Sequence, residues 1–161
     1  MPETTIMPDA AFKVDAVLFI MQLLCTFAMT GIIWFVQIVH YPLMRRVGKG
    51  RFTRYLQSHM VLTTFVVAPV MLIEAGAVLY GLFVPNIWLH GDAAHLGAVL
   101  LLIIWLVTFL VHVPGHRRLA KDFEARAYKR ILFGNWIRAY AWSFRSIILV
   151  FSLLRVFVAE Q

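Results

Sequence analysis

The stretch Val14–Val39, VDAVLFIMQLLCTFAMTGIIWFVQIV, decides the fold of this chain. Its one charge is Asp15, near its start, and it exceeds the ~20 apolar residues with which a helix crosses ~30 Å of hydrocarbon. Three further stretches repeat the pattern: Met60–Val84, Ala93–Val113 and Ile137–Ala159. Inside a bilayer every backbone donor must find its acceptor within the segment, so runs of this length become helices. The expected architecture is all-α: a four-transmembrane-helix bundle, one integral membrane domain over residues 1–161, built from two pseudo-repeated helical hairpins.

Composition agrees. The chain is 61% hydrophobic and 14% charged, too few charges to cover the surface of a water-soluble domain this size. The net charge of +7 is not spread as a nucleic-acid surface would be, and nucleic acid is excluded as a partner. Arg45, Arg46, Lys49, Arg51 and Arg54 lie between the first two spans, and Arg117, Arg118, Lys121, Arg126, Lys129 and Arg130 between the last two. The Met1–Asp15 tail carries Glu3, Asp9 and Asp15 against Lys13, and the loop Pro85–Asp92 has no Lys or Arg. The positive-inside rule then places both basic loops in the cytoplasm, against anionic headgroups of the lipid bilayer, and both termini outside. In a bacterium this is the cytoplasmic membrane. The acidic tail and the long first span do not read as a cleavable signal peptide. Cys25, the single cysteine, rules out an internal disulfide and reads as a small packing residue.

The two basic gaps resemble each other. Ile32-Ile33-Trp34 recurs as Ile103-Ile104-Trp105. Val39-His40-Tyr41-Pro42 with Arg45-Arg46 recurs as Val111-His112-Val113-Pro114 with Arg117-Arg118. A shared His-x-Pro-x-x-Arg-Arg is polar and points to a duplication, with two hairpins about an axis along the membrane normal. Because proline lacks an amide donor and disfavours helix in the residue before it, spans one and three are expected to stop or kink near His40 and His112. Basic amphipathic helices over Arg51–His59 and Arg117–Leu132 are expected to lie in the interface and lead into the next spans.

The informative residues are polar groups inside apolar spans. A charge near the middle of a membrane helix costs ~2.5–3.5 kcal/mol on insertion scales, so it faces the bundle and has a partner. Glu74 in span two and Arg145 in span four sit at equivalent positions of the two halves and at similar depth. They read either as an ion pair that locks the bundle or as a catalytic pair in a charged pocket, together with His59. Asn135, Arg138, Trp142 and Arg145 recur at three- and four-residue intervals, one helical face, and should point to the core as a substrate-binding stripe. Trp34 and Trp105, with Gln37 and Thr108, lie within a turn or two of the paired histidines and are candidates to line the same cavity. His40, His59, His112 and His116 all fall at the basic end of the bundle, where imidazoles are candidate ligands for haem iron or a transition metal. At the opposite end, Asp92 suits the first turn of span three, close to His90 and His95.

Val113-Pro114-Gly115-His116-Arg117-Arg118-Leu119-Ala120, Asn135-Trp136, Trp142 and Arg145-Ser146 together resemble the second half of the anthrone oxygenase-like family of small four-helix membrane proteins. That family shows a Val-Pro-x-Asn-x-x-Leu segment and a Trp-rich stretch ending in Arg-Thr; here His116 replaces the Asn and Ser146 follows the arginine. The resemblance covers the last third of the chain. It implies oxidation of a polycyclic aromatic by a small membrane oxygenase, with or without a cofactor. The order Trp34, Pro42, Phe52, Pro69, Met71 is similar to haem-dependent protoporphyrinogen oxidases, but that family's histidine early in the first span and lysine in the third are missing. The expected function is a small membrane oxidoreductase or ligand-binding protein acting on a hydrophobic, aromatic small molecule in a polar intramembrane pocket. The alternative is a non-catalytic accessory subunit whose polar residues only pack helices. A homo-oligomer suits either.

Overall fold

The structure, a computed structural model, describes residues 9–84, 88–89 and 91–159. Helix α1 (Asp9–Phe35) passes through a π-helical segment (Val36–His40) into the short α2 (Tyr41–Met44). After a turn, α3 runs over Lys49–Phe83. The second half repeats this succession: α4 (Gly91–Val107), a π-helical segment (Thr108–His112), α5 (Val113–Leu119), then α6 (Ala125–Ala159). Four continuous helical stretches are long and apolar enough to cross a membrane, and among the described residues there is no strand. The protein is an all-α, four-helix integral membrane bundle.

Packing runs around a ring: α1 lies against α3 and α6, and α4 lies against α6 and α3. Its outer surface is made of bulky apolar side chains, Phe65, Phe83, Phe133, Phe151 and Val158 among them, all well exposed. A continuous apolar surface of this kind is stable against lipid and not against water. The interior holds three apolar clusters, around Met44, Leu56 and Ile131 at the basic end, Met29, Ile104 and Trp142 in the middle, and Phe19 and Leu149 at the far end.

The prolines do not stop spans one and three; the helix is disturbed at the expected places, His40 and His112, by a widened turn. The amide of Tyr41 donates to the carbonyl of Val36, and that of Val113 to Thr108, both five residues back. Widening the turn by one residue before Pro42 and Pro114 absorbs the ring and the missing N–H, so the helix continues where a regular one would break. In each half the widened turn ends on the histidine, His40 or His112. Nor do separate interfacial helices form. Arg51–His59 forms the first turns of α3, while Arg117–Leu132 is divided between the last turn of α5, a turn over 120–124 and the first turns of α6. Helices α3 and α6 are each 35 residues and therefore ~50 Å long. Phe52, Leu56 and Ile131 turn into the bundle there and are buried. Asp15, counted from sequence with the tail, lies inside α1, is buried, and accepts the Tyr80 hydroxyl at 2.9 Å.

Two glycines set how closely the second half packs. A Cβ at Gly115 would collide with Cγ2 of Ile131, a β-branched side chain with little freedom to move aside in a helix. One at Gly134 would come within 2.9 Å of Val111 Cγ1 and 3.2 Å of His112 Nε2. At the far end Gly91, with φ of +60°, opens α4 in a conformation that L side chains resist. Asp92 occupies the first turn as expected, and His95 Nδ1 donates to the Gly91 carbonyl at 2.8 Å. His90 lies outside the described residues.

Candidate functional site

Two polar layers cross the bundle. The first is closed and is centred on Glu74. Its Oε1 accepts from Thr26 Oγ1 at 2.6 Å and from Arg145 Nε at 3.1 Å, and its Oε2 accepts from Trp142 Nε1 at 3.1 Å. Arg145 Nη2 is also 3.1 Å from Oε1, and Nη1 donates to the Gly97 carbonyl on α4. One carboxylate and one guanidinium thus tie together all four spans. Glu74 and Arg145 are sealed from solvent at 0% and 1% exposure. Next to them Thr30 donates to the Thr26 carbonyl and pairs with Ser146 at 2.9 Å. The expected ion pair is present, and neither member lines the cavity described below. Both are buried and paired with each other, and Arg145 Nη2 has no hydrogen-bond acceptor beyond the ion pair.

The expected core face of α6 is also formed: Asn135, Arg138, Trp142 and Arg145 are all buried. Asn135 Nδ2 donates to Gln37 Oε1 at 2.8 Å and to the Ile33 carbonyl at 3.3 Å, fastening α6 beside the first π-helical segment. Trp34 does not reach the histidines. Its Nε1 donates to Ser143 Oγ at 2.9 Å and its ring meets Trp136 and Tyr140 edge-on, in the seam between α1 and α6.

The second layer is the histidine cluster, about four turns toward the basic end: His40 stands 14 residues from Thr26, His59 15 from Glu74 and His112 15 from Gly97. His40 and His59 stack with centroids 4.0 Å apart and planes 17° from parallel. His59 is 6.0 Å from His116, and His116 is 6.0 Å from His112. Hydroxyls close both ends: Tyr55 is 3.5 Å from His40 Nδ1, and Tyr41 is 3.3 Å from His112 Nδ1. Thr63 lies 3.1 Å from His59 Nδ1. All four histidines converge, as the repeat and topology lead one to expect. As ligands they do not fit a metal. No group of three His, Cys, Asp or Glu among the described residues is placed to hold one. The reason is visible in the geometry: stacked rings offer faces and not lone pairs, and His112 is held by Tyr41 on one nitrogen and set against Gly134 on the other.

Between α3 and the α4–α5 stretch opens a cavity of about 370 Å³. Met60, Val67, Ala68 and Met71 form one apolar wall, and Trp105, Phe109 and Val113 the other. Thr63 and Thr108 add hydroxyls, and His59, His112, His116 and Arg138 form its polar end. Its volume is within the range of small-molecule sites, ~300–1,000 Å³, and the mixture of apolar walls with a few convergent polar groups is their usual make-up. Of the candidate substrate-binding residues, Trp105 and Arg138 line this cavity, while Trp34, Asn135 and Trp142 do not. Trp142 acts at one remove, its ring centroid 5.2 Å beneath the Arg138 guanidinium.

Sequence reasoning missed Thr26 and Thr30, whose signal was present. Asp15, Gln22, Thr26 and Thr30 stand at spacings of seven, four and four on α1, one stripe of which the first three are buried and Thr30 half-buried. Fold and site define a small polytopic membrane protein with a closed polar tie at mid-depth and a histidine-lined cavity beside it. The chain matches no protein-family model, no curated protein and no solved structure.

Proposed function

We propose that this protein is a membrane oxidoreductase that binds a lipophilic aromatic small molecule in the cavity between α3 and α4–α5. The observation that carries this is the composition of that cavity, with aromatic and thioether walls that suit a flat ring and four hydrogen-bonding groups gathered at one end. His59 and His116 face the bound molecule and act as proton acceptors for an acidic ring hydroxyl or methylene. The resemblance of Val111–Ser146 to the anthrone oxygenase-like family supports the same substrate class. No step is assigned to a metal held by three or more side chains, since no such group is present among the described residues.

Filling the cavity tests the reading. Methyl 2-naphthoate and 2-naphthoate should both bind saturably to the purified protein in neutral-lipid nanodiscs, with empty discs subtracted. Ala68→Phe places a ring in the cavity wall and should abolish both. If neither compound binds saturably to the unaltered protein, or if Ala68→Phe binds them as well, the cavity is not the site.

The same reading includes sidedness. Eleven of the 15 Lys and Arg lie in the two loops at the histidine end, so that end faces the cytoplasm and both termini face out. A phosphatase reporter, active only outside the cytoplasm, should be active when fused after Gln161; a cytoplasmic reading would reverse the orientation. We read the two hairpins as products of a duplication. In support, equivalent positions meet across the two spans of each hairpin, though by different hydrogen bonds: Thr26 with Glu74 and Gly97 with Arg145, both 48 residues apart.

A further inference from the structure

The chemistry of the cavity's ligand can be narrowed from Arg138. Its guanidinium is 93% buried within a membrane bundle, since only 7% of the residue is exposed, and it lines the cavity. Seven residues along α6 from Arg145, it sits ~10 Å nearer the basic end. Arg145 has a carboxylate; Arg138 has none. Among the described residues no Asp or Glu forms an ion pair with it, no hydrogen bond to it is present, and its Nε is buried without an acceptor. The Trp142 ring beneath it answers part of the charge, but a ring face supplies no in-plane lone pair to five N–H donors. A buried charge without a partner is costly, and in a spanning segment such a residue belongs to a ligand or ion path. The remaining neighbours do not solve the problem. His112 and His116 lie close enough to Arg138 to repel it when protonated, and the Tyr41 hydroxyl, 3.3 Å from His112 Nδ1, makes no hydrogen bond to the guanidinium.

We infer that the cavity takes a molecule bearing an organic oxyanion, a carboxylate or an acidic ring hydroxyl, whose oxygen completes the empty side of Arg138 while its apolar body lies between Met71 and Trp105. This rests on the binding role proposed for the same cavity and specifies the substrate class. The guanidinium fork supplies paired donors to such a group, and His116, which also lines the cavity, stands near to give or take its proton. The cavity opens between α3 and α4–α5 toward the lipid, where Phe109 and Thr64 are exposed, so an amphiphile dissolved in the bilayer can reach it sideways. A headgroup phosphate has the same chemistry, and the test separates the two sources.

The discriminating measurement compares acid and ester on the unaltered protein. In neutral-lipid nanodiscs at pH 8, 2-naphthoate should bind about tenfold or more tightly than its methyl ester, the size expected for a desolvated charge pair. Arg138→Gln should bring the acid down to the ester, leaving the ester unchanged, while Arg138→Lys should keep part of the preference. Arg126→Gln, exposed and outside the cavity lining, should leave the preference intact. Replacing a quarter of the lipid by phosphatidylglycerol distinguishes the sources. Undiminished naphthoate binding assigns the site to a ring acid, and competition that disappears in Arg138→Gln assigns it to a lipid phosphate. An acid-to-ester ratio within about twofold in the unaltered protein overturns the inference even if Arg138→Gln fails to fold, and does so while ester binding, if present and lost in Ala68→Phe, leaves the cavity itself standing.

Discussion

Glu74→Gln will lower the stability of the bundle by about 3–5 kcal/mol, read as unfolding from mild detergent by titrated dodecyl sulfate. The change is nearly isosteric, so packing around residue 74 is kept. What is lost is the countercharge to Arg145, which then holds a full positive charge at mid-membrane with only the Gly97 carbonyl and a neutral amide beside it. A glutamine keeps one oxygen: with it in the place of Oε1, Thr26 and Arg145 still find an acceptor, while Trp142 Nε1 faces an amide NH2 and loses its own, which adds to the loss of the countercharge. Removing both charges, as in Glu74→Gln with Arg145→Gln, should recover a substantial part, because neither side is then left ionised and alone. A coupling of at least ~1 kcal/mol between the two changes is expected for groups in contact. Simple additivity would falsify the assignment of a structural ion pair, and an unchanged stability in Glu74→Gln would show that Arg145 has another partner.

Trp142→Ala should be about as damaging, at roughly 3–5 kcal/mol, since the side chain is fully buried at 0% exposure between the two polar layers. It holds Met29, Ile104 and Met71 in one cluster, donates to Glu74, and supports the Arg138 charge on its face. Trp142→Phe separates these roles. A phenyl ring keeps most of the packing and the face under Arg138, and loses the hydrogen bond to Glu74. Its cost should be the smaller, about 1.5–3 kcal/mol for a bond to a charged group. Were the two variants equally destabilised, the ring would be contributing only its N–H and the packing account would be wrong.

Much of this was legible because a membrane makes sequence patterns blunt. An ionised or amide side chain in a spanning helix has one tolerable direction, inward, so Glu74 and the Asn135–Arg138–Trp142–Arg145 stripe could be assigned to the core from spacing alone. The same rule missed Thr26, since a threonine can satisfy its hydroxyl on its own helix and therefore carries no obligation to face inward. It left Pro42 and Pro114 open between a stop and a kink for a related reason. A proline states that one hydrogen bond is missing, and whether the helix breaks or widens depends on what packs around it. Here Asn135 and Gln37 on one side, and Gly134 against His112 on the other, hold the chain in line.

Trp34 and Trp105 show the limit most clearly. They occupy matching places in the two halves, each preceded by two isoleucines. Trp105 lines the cavity, and Trp34 is bound to Ser143 in a filled seam. Nothing local distinguishes them; the difference lies in which neighbouring helix each one meets. The sequence by itself determined the solvent, the number of spans and which polar residues must be interior, because hydrocarbon penalises every exposed polar group one residue at a time. Only the tertiary structure decided that one polar layer is closed and the other open. A cavity, and a guanidinium left without an acceptor beside it, are properties of the gap between helices, set by how closely the glycines and π-helical turns let four backbones approach.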